Sequence, residues 1–205
     1  METEIPRQLV HLSGLLFVML SVYLGRSGTS VLFLGMAAFF LAYSVYVRMT
    51  MSGPGSLAGR IDYALRRLFM RFERRNGKPF LGAFWFYISL SLAFALFPMD
   101  AAFLAGLVLS VGDSLATLAG RAAGRHRLLP GKSLEGSAAF LAGSLAACLL
   151  FSSPLPALAA SLAGMLGELI PGVPSLRALS ERGILNDNLT VTLLAGLAAW
   201  LVMAW

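Results

Sequence analysis

Residues 111–120 read Val111-Gly112-Asp113-Ser114-Leu115-Ala116-Thr117-Leu118-Ala119-Gly120, a run of apolar and small residues with one carboxylate inside it. A basic turn follows at 121–127, and then Gly131-Lys132-Ser133-Leu134-Glu135-Gly136. Inside a membrane helix a carboxylate costs roughly 2.5–3.5 kcal/mol even on the lenient insertion scale, so such a residue faces a cavity, a partner or a substrate. Asp113 lies a short way along one helix from a cluster of cations and a glycine-flanked lysine. That order suits an anionic, phosphorylated ligand held at a membrane surface.

The rest of the chain supports reading this run as a membrane helix. Of 205 residues 58% are hydrophobic, and the mean hydropathy is +0.77. A water-soluble domain is less apolar than this, and the length suffices for about six to eight spans. The expected fold is all-α: one polytopic integral membrane domain over 1–205. Cys148 stands alone in an apolar run, so it offers neither a disulfide framework nor a metal site. Residues 1–7 lack the basic region and small-residue cleavage site of a secretory signal, so the first apolar run is expected to remain as a span. The net charge of +6 points, in a membrane protein, to orientation and anionic lipid rather than to nucleic acid.

Seven apolar runs are of roughly spanning length: 9–24, 30–47, 80–97, 101–120, 136–151, 155–170 and 189–205. The links alternate in character. Those at 25–29, 98–100 and 152–154 are short, whereas 48–79, 121–135 and 171–188 are longer and polar. With seven spans, 15 of the 16 lysines and arginines fall on one side of the membrane, and only Arg26 falls on the other. Positively charged loops stay cytoplasmic, which puts the N-terminus and the long links inside and the C-terminus outside. Residues 60–75 carry Ile61, Leu65, Leu68, Phe69 and Phe72 at helical spacing among arginines. That pattern predicts a basic amphipathic helix on an anionic membrane surface.

Several polar residues then map to the cytoplasmic half. Glu4, Arg7 and His11 share one helix face, being three and four apart. Asp113, Thr117, Arg121 and Arg125 are four apart, beside Gly112, Ala116, Gly120 and Gly124 at the same spacing. Small residues so spaced let another backbone approach, within one chain or between two copies. Glu168 ends the sixth run, and Asp187 and Asn188 open the seventh, where they can cap it. On the outer side Asp100 is the only acid. Polar groups kept only for packing would show less bias to one face, so the convergence favours a site opening to the cytoplasm.

Residues 124–133 read Gly-Arg-His-Arg-Leu-Leu-Pro-Gly-Lys-Ser. A P-loop has four residues between its glycines and follows a buried strand. Here six intervene after a membrane helix, so the P-loop fold is excluded, although similar phosphate-binding chemistry is open to these residues. Arg125 and Arg127 supply charge, and Lys132 is a flexible point charge for phosphate. Glu135 is placed to bind metal or to pair with Lys132.

The stretches D-S-L-A-T-L-A-G-R-A-A-G, P-G-K-S-L-E-G-S, G-E-L-I-P and D-N-L-T-V together resemble the polyprenol kinase family, which includes dolichol kinase, phytol kinase and the CTP-dependent diacylglycerol kinase. The opening E-I-P-R-Q-L-V-H-L is similar to that family's start, with Gln8 where lysine is usual, and N-G-K-P-F-L-G-A-F-W-F-Y resembles the stretch before its middle spans. The resemblance implies a CTP-dependent lipid alcohol kinase. It assigns Asp113, Gly120, Gly124, Lys132, Ser133, Glu135 and Gly136 to the nucleotide region, and Glu168, Asp187 and Asn188 to a second acidic cluster. CTP as donor comes from the resemblance alone.

Phosphoryl transfer needs positioning and neutralisation of charge. Mg²⁺ takes oxygen ligands, so Asp113, Glu168 and Asp187 are the metal candidates. Lys132, Arg121 and Arg125 would hold the triphosphate. A carboxylate or His11 would take the proton of the alcohol. Depth favours Asp113, although residue order alone leaves base and metal ligand interchangeable. A cytidylyltransferase acting on phosphatidate would use similar parts and yield a CDP-lipid. A transporter would need charge at mid-membrane and on both sides, which this chain lacks.

Overall fold

The computed structural model describes residues 4–49, 80–181 and 184–205, with the side chains of 4–13, 47–49 and 177 outside that description. The amphipathic helix expected over 60–75 lies outside the described residues. So do the side chains of Glu4, Arg7 and His11, whose backbone forms the first turns of a helix.

Most of the described chain is helical. The helices are α1 (Glu4–Met49), α2 (Leu81–Leu96), α3 (Met99–Leu107), α4 (Ser114–Ala122), α5 (Leu134–Leu149), α6 (Pro154–Leu169), α7 (Arg177–Glu181) and α8 (Asp187–Met203). A π-helical segment, Val108–Asp113, joins α3 to α4 in one continuous rod. Short 3₁₀ turns come after α6 at Ile170–Gly172 and Pro174–Leu176. Three stretches are long and apolar enough to cross a membrane: Gly14–Tyr46, Met99–Ala122 and Pro154–Gly172. Leu81–Leu96, Leu134–Leu149 and Asp187–Met203 are shorter apolar helices. Large apolar side chains such as Leu16, Val31, Leu150 and Leu155 are exposed on the outer faces, as a lipid solvent permits.

The first helix is a hairpin. Gly25 leaves helical geometry, with φ 68° and ψ 175°. The rings of Phe17 and Phe40 both meet Tyr87, at centroid distances of 6.4 and 5.5 Å. In a straight helix those 23 residues would span about 35 Å, so the two arms must fold back on each other. The expected link at 25–29 shrinks to Gly25 itself, because a residue without Cβ adopts that conformation freely. Helix resumes at once, and the Thr29 hydroxyl bonds back to the Gly25 carbonyl at 2.7 Å.

The Met99–Ala122 rod is the centre of the bundle, with 78% of its most apolar window buried. Glycines set its neighbours close. A side chain at Gly106 would run into Val18 of α1, and one at Gly112 would stand 2.8 Å from the ring of Phe140 on α5. Helices α6 and α8 touch backbone to backbone where Gly167 meets Thr190, and the Thr190 hydroxyl donates to the Gly167 carbonyl at 2.7 Å.

The chain is mostly rather than purely helical, which qualifies the all-α expectation. Residues Arg127–Leu129 (β1) and Lys132–Ser133 (β2) pair antiparallel. Pro130-Gly131 turns between them, with Gly131 at φ 80°. Proline followed by a residue of positive φ is what a tight turn of this kind requires. The link at 121–135 therefore contains a folded hairpin rather than an open loop.

The two ends of the bundle differ. Val22, Asp100, Ser152 and Met203 line one cavity of about 490 Å³, so the short links and the end of α8 lie together. Gly82, Arg121, Lys132, Glu168 and Asp187 line another, at the opposite end.

Candidate functional site

The second of these cavities is a cleft of about 890 Å³. Its walls come from the start of α2, the end of the central rod, the β-hairpin, the start of α5, the end of α6 and the start of α8. Residues far apart in sequence meet here: Asp113, Arg121, Lys132, Glu168, Asp187 and Asn188 all line it.

Lys132 is the hub. Its Nζ donates to Glu168 Oε1 at 2.7 Å and to Asp187 Oδ2 at 3.3 Å. Burial opposes its positive charge, but the fields of Asp187, Glu168 and Asp113 together with the Glu168 hydrogen bond outweigh that, and its pKa stands above the ordinary lysine value. Three carboxylates from three helices thus act on one ammonium. Asp113, at the end of the π-helical segment, is only 9% exposed, and Glu168 only 5%. A π segment adds a residue to a turn and re-aims the side chains beyond it, and such segments are frequent at functional sites.

The hairpin is docked by a serine and three glycines. Ser133 caps the N-terminus of α5, its Oγ accepting from the Gly136 N–H at 3.2 Å. A Cβ on Gly120 would stand 3.2 Å from that Oγ, and one on Gly136 would stand 2.9 Å from the Ala116 carbonyl. A side chain at Gly124 would collide with the Gly120 carbonyl. All three glycines line the cleft, and each is required where the central rod meets the hairpin and α5.

Some sequence expectations need correction. Glu135 does not pair with Lys132. It turns outward, takes His126 Nδ1 at 2.7 Å and accepts from the His126 N–H at 3.2 Å. The hydrogen bond from its own backbone N–H, then the one from the His126 side chain, hold its carboxyl at a pKa of about 2. The Glu135 side chain follows its helix face, which at the first turn of α5 points away from the cleft. Arg125 does not line the cleft either, whereas Arg121 and Arg127 do. The cap of α8 is Asn186, whose Oδ1 accepts from the Asn188 N–H at 3.0 Å. Asp187 is thereby the first helical residue, with Oδ2 turned to Lys132.

Several cleft residues are given no role by the sequence. Trp85 and Leu81 form an apolar side of the cleft, and Ser137 and Glu181 are polar. Ser137 closes the P-G-K-S-L-E-G-S stretch, which is the only signal pointing toward it. Among the described residues no three His, Cys, Asp or Glu side chains are gathered into a group able to hold a metal by themselves.

Comparison with family models, with curated proteins and with solved structures finds no match to this chain.

Proposed function

We propose that the protein is a CTP-dependent lipid alcohol kinase, moving the terminal phosphoryl group of CTP to the primary hydroxyl of a polyprenol-type lipid. One observation carries the reading. A polar cleft at one end of an apolar helical bundle holds a lysine between two carboxylates, with two arginines on its walls. Cations near a triphosphate and carboxylates near a reacting hydroxyl are what phosphoryl transfer needs. Apolar helices around such a cleft offer a lipid tail a place beside it. The resemblance of the motifs to polyprenol kinases supplies the choice of CTP and of an isoprenoid alcohol; diacylglycerol is the nearest alternative acceptor.

Seven spans suit this reading, with the two arms of α1 counted separately and the cleft facing the cytoplasm. The basic residues of 121–132 stand at the cleft end, and the C-terminus stands at the other. Positive-inside orientation then puts nucleotide and cleft on the same side of the membrane.

Mg²⁺ is the expected cofactor. It commonly takes one or two carboxylates and completes its shell with substrate phosphates and water. Asp113 and Asp187 offer oxygens of that kind in the cleft. When bound, the ion would neutralise charge on the phosphates. Lys132 would hold the terminal phosphoryl group, Arg121 and Arg127 would hold the rest of the triphosphate, and a cleft carboxylate would take the proton of the alcohol.

The test is a product assay on purified protein with geranylgeraniol, phytol, dolichol and diacylglycerol, each with all four nucleoside triphosphates. Formation of a lipid monophosphate from CTP and an isoprenoid alcohol is expected. No lipid phosphate with any pair would overturn the reading.

A further inference from the structure

The cleft contains two buried polar atoms that find no hydrogen-bond partner among the described residues. One is Glu168 Oε2, whose sister oxygen is bound to Lys132; the other is the Ser137 hydroxyl. Both residues line the cleft, and each is only 5% exposed. A buried carboxylate oxygen or hydroxyl without a partner costs about 1–3 kcal/mol, so a native protein retains one for a reason.

Serines elsewhere in these helices bond back to the carbonyl one turn earlier. Ser144 does so to Phe140 at 2.7 Å, Ser114 to Ser110 at 2.8 Å and Ser89 to Trp85 at 2.6 Å. Ser137 does not. Among the described residues the hydroxyls of Ser21 and Ser110 are also without partners and that of Ser161 meets only the Cys148 thiol, but none of these lines the cleft.

The packing puts the two residues in one layer of the bundle. The buried ring of Phe140 fills the space between Gly112 of the central rod and Gly164 of α6; a Cβ would stand 2.8 Å from it at Gly112 and 3.5 Å at Gly164. One turn nearer the cleft are Ser137 on α5, Ala116 on the central rod and Glu168 on α6. Phe140 is therefore the floor, and Ser137 and Glu168 stand just above it.

A hydroxyl group, being both donor and acceptor, can satisfy both atoms at once. Building on the kinase reading, we propose that Ser137 and Glu168 form the subsite for the acceptor hydroxyl of the lipid alcohol. The Ser137 O–H donates to the alcohol oxygen, and the alcohol O–H donates to Glu168 Oε2. Glu168 then acts as the base. Its Oε2 takes the proton as the alcohol oxygen bonds to the terminal phosphorus of CTP. The bond from that phosphorus to its bridging oxygen breaks, and CDP leaves with the electron pair. Lys132, on the other oxygen of the same carboxylate, is positioned to face the transferred group.

The experiment compares wild type, Ser137→Ala and Ser161→Ala. It measures KM for geranylgeraniol and for CTP, and binding of geranylgeraniol against the same chain with methyl in place of the hydroxymethyl group. Ser137→Ala should raise the alcohol KM about 3- to 10-fold, leave the CTP KM unchanged and reduce the preference for alcohol over hydrocarbon. Ser161→Ala should leave all three unchanged. Turnover with alcohol KM and preference the same in Ser137→Ala as in wild type would overturn the subsite and leave the kinase reading intact. Absence of turnover in wild type with every alcohol would overturn both.

Discussion

Removing the Lys132 ammonium leaves Glu168 with a buried negative charge and no counter-ion, close to Asp113 and Asp187. Breaking one side of a buried pair destabilises by about 3–5 kcal/mol. Lys132→Ala should therefore melt earlier in detergent and bind CTP about 10- to 100-fold more weakly, since a charge-assisted contact to phosphate is lost. Adding Glu168→Gln removes the stranded charge. The double variant should regain thermal stability and stay inactive. If it regains activity as well, Lys132 does not hold the phosphoryl group and Glu168 is not the base. Asp113→Asn keeps size and polarity, so it should fold normally, yet lose lipid phosphorylation. Near-normal turnover by that variant would remove Asp113 from the reaction. The carboxylates are legible in the sequence because a charge in an apolar run is conspicuous. Ser137 is not, because a serine in such a run can always bond to its own helix, and only the packing shows that this one does not.

The elements around the site stand or fall with the junction of hairpin and α5. Gly136→Ala would push a methyl group against the Ala116 carbonyl, at 2.9 Å before relaxation. Overpacking of this kind costs about 1–3 kcal/mol, and here it would also shift Lys132, which lies just before the first turn of α5. A loss of CTP binding larger than the loss of stability is expected. The His126–Glu135 pair fastens the same junction from outside. Because the Glu135 pKa is lowered from 4.5 to about 2, its contribution is present above pH 4.5 and fades as pH falls toward 2. The protection of the His126 amide, taken relative to the intrinsic exchange rate at each pH, should fall over that window in wild type and stay constant in Glu135→Gln. Helix positions are readable from hydropathy to within about two residues at most ends. The π segment, the β-hairpin and the outward turn of Glu135 are not readable, since each depends on contacts between distant parts of the chain. The hairpin does leave one trace, Pro130-Gly131, which reads as a turn without revealing the strands on either side.

At the scale of the whole molecule, the fold has a polar end and an apolar end. Among the described residues the links at 98–100 and 152–154 lie at one end with Asp100, and those at 121–135 and 171–188 lie at the other with Lys132 and Asp187; most of the expected link 48–79 lies outside them. Part of this is legible in the charge pattern: of the described basic residues, Arg121, Arg127 and Lys132 line the polar end. A cysteine placed at Gly131 should be labelled from the cytoplasmic side of membrane vesicles, and one placed at Ser152 from the other; labelling of both from one side would remove the seven-span arrangement. The chemistry proposed for the polar end is tested most directly by tracing which phosphate of CTP reaches the lipid. Purified protein in mixed micelles with geranylgeraniol and Mg²⁺ is given CTP labelled either at the γ-phosphate or at the α-phosphate. A lipid kinase places the γ label in the lipid and leaves the α label in CDP. Transfer of the α label to the lipid, or of neither label, would contradict it.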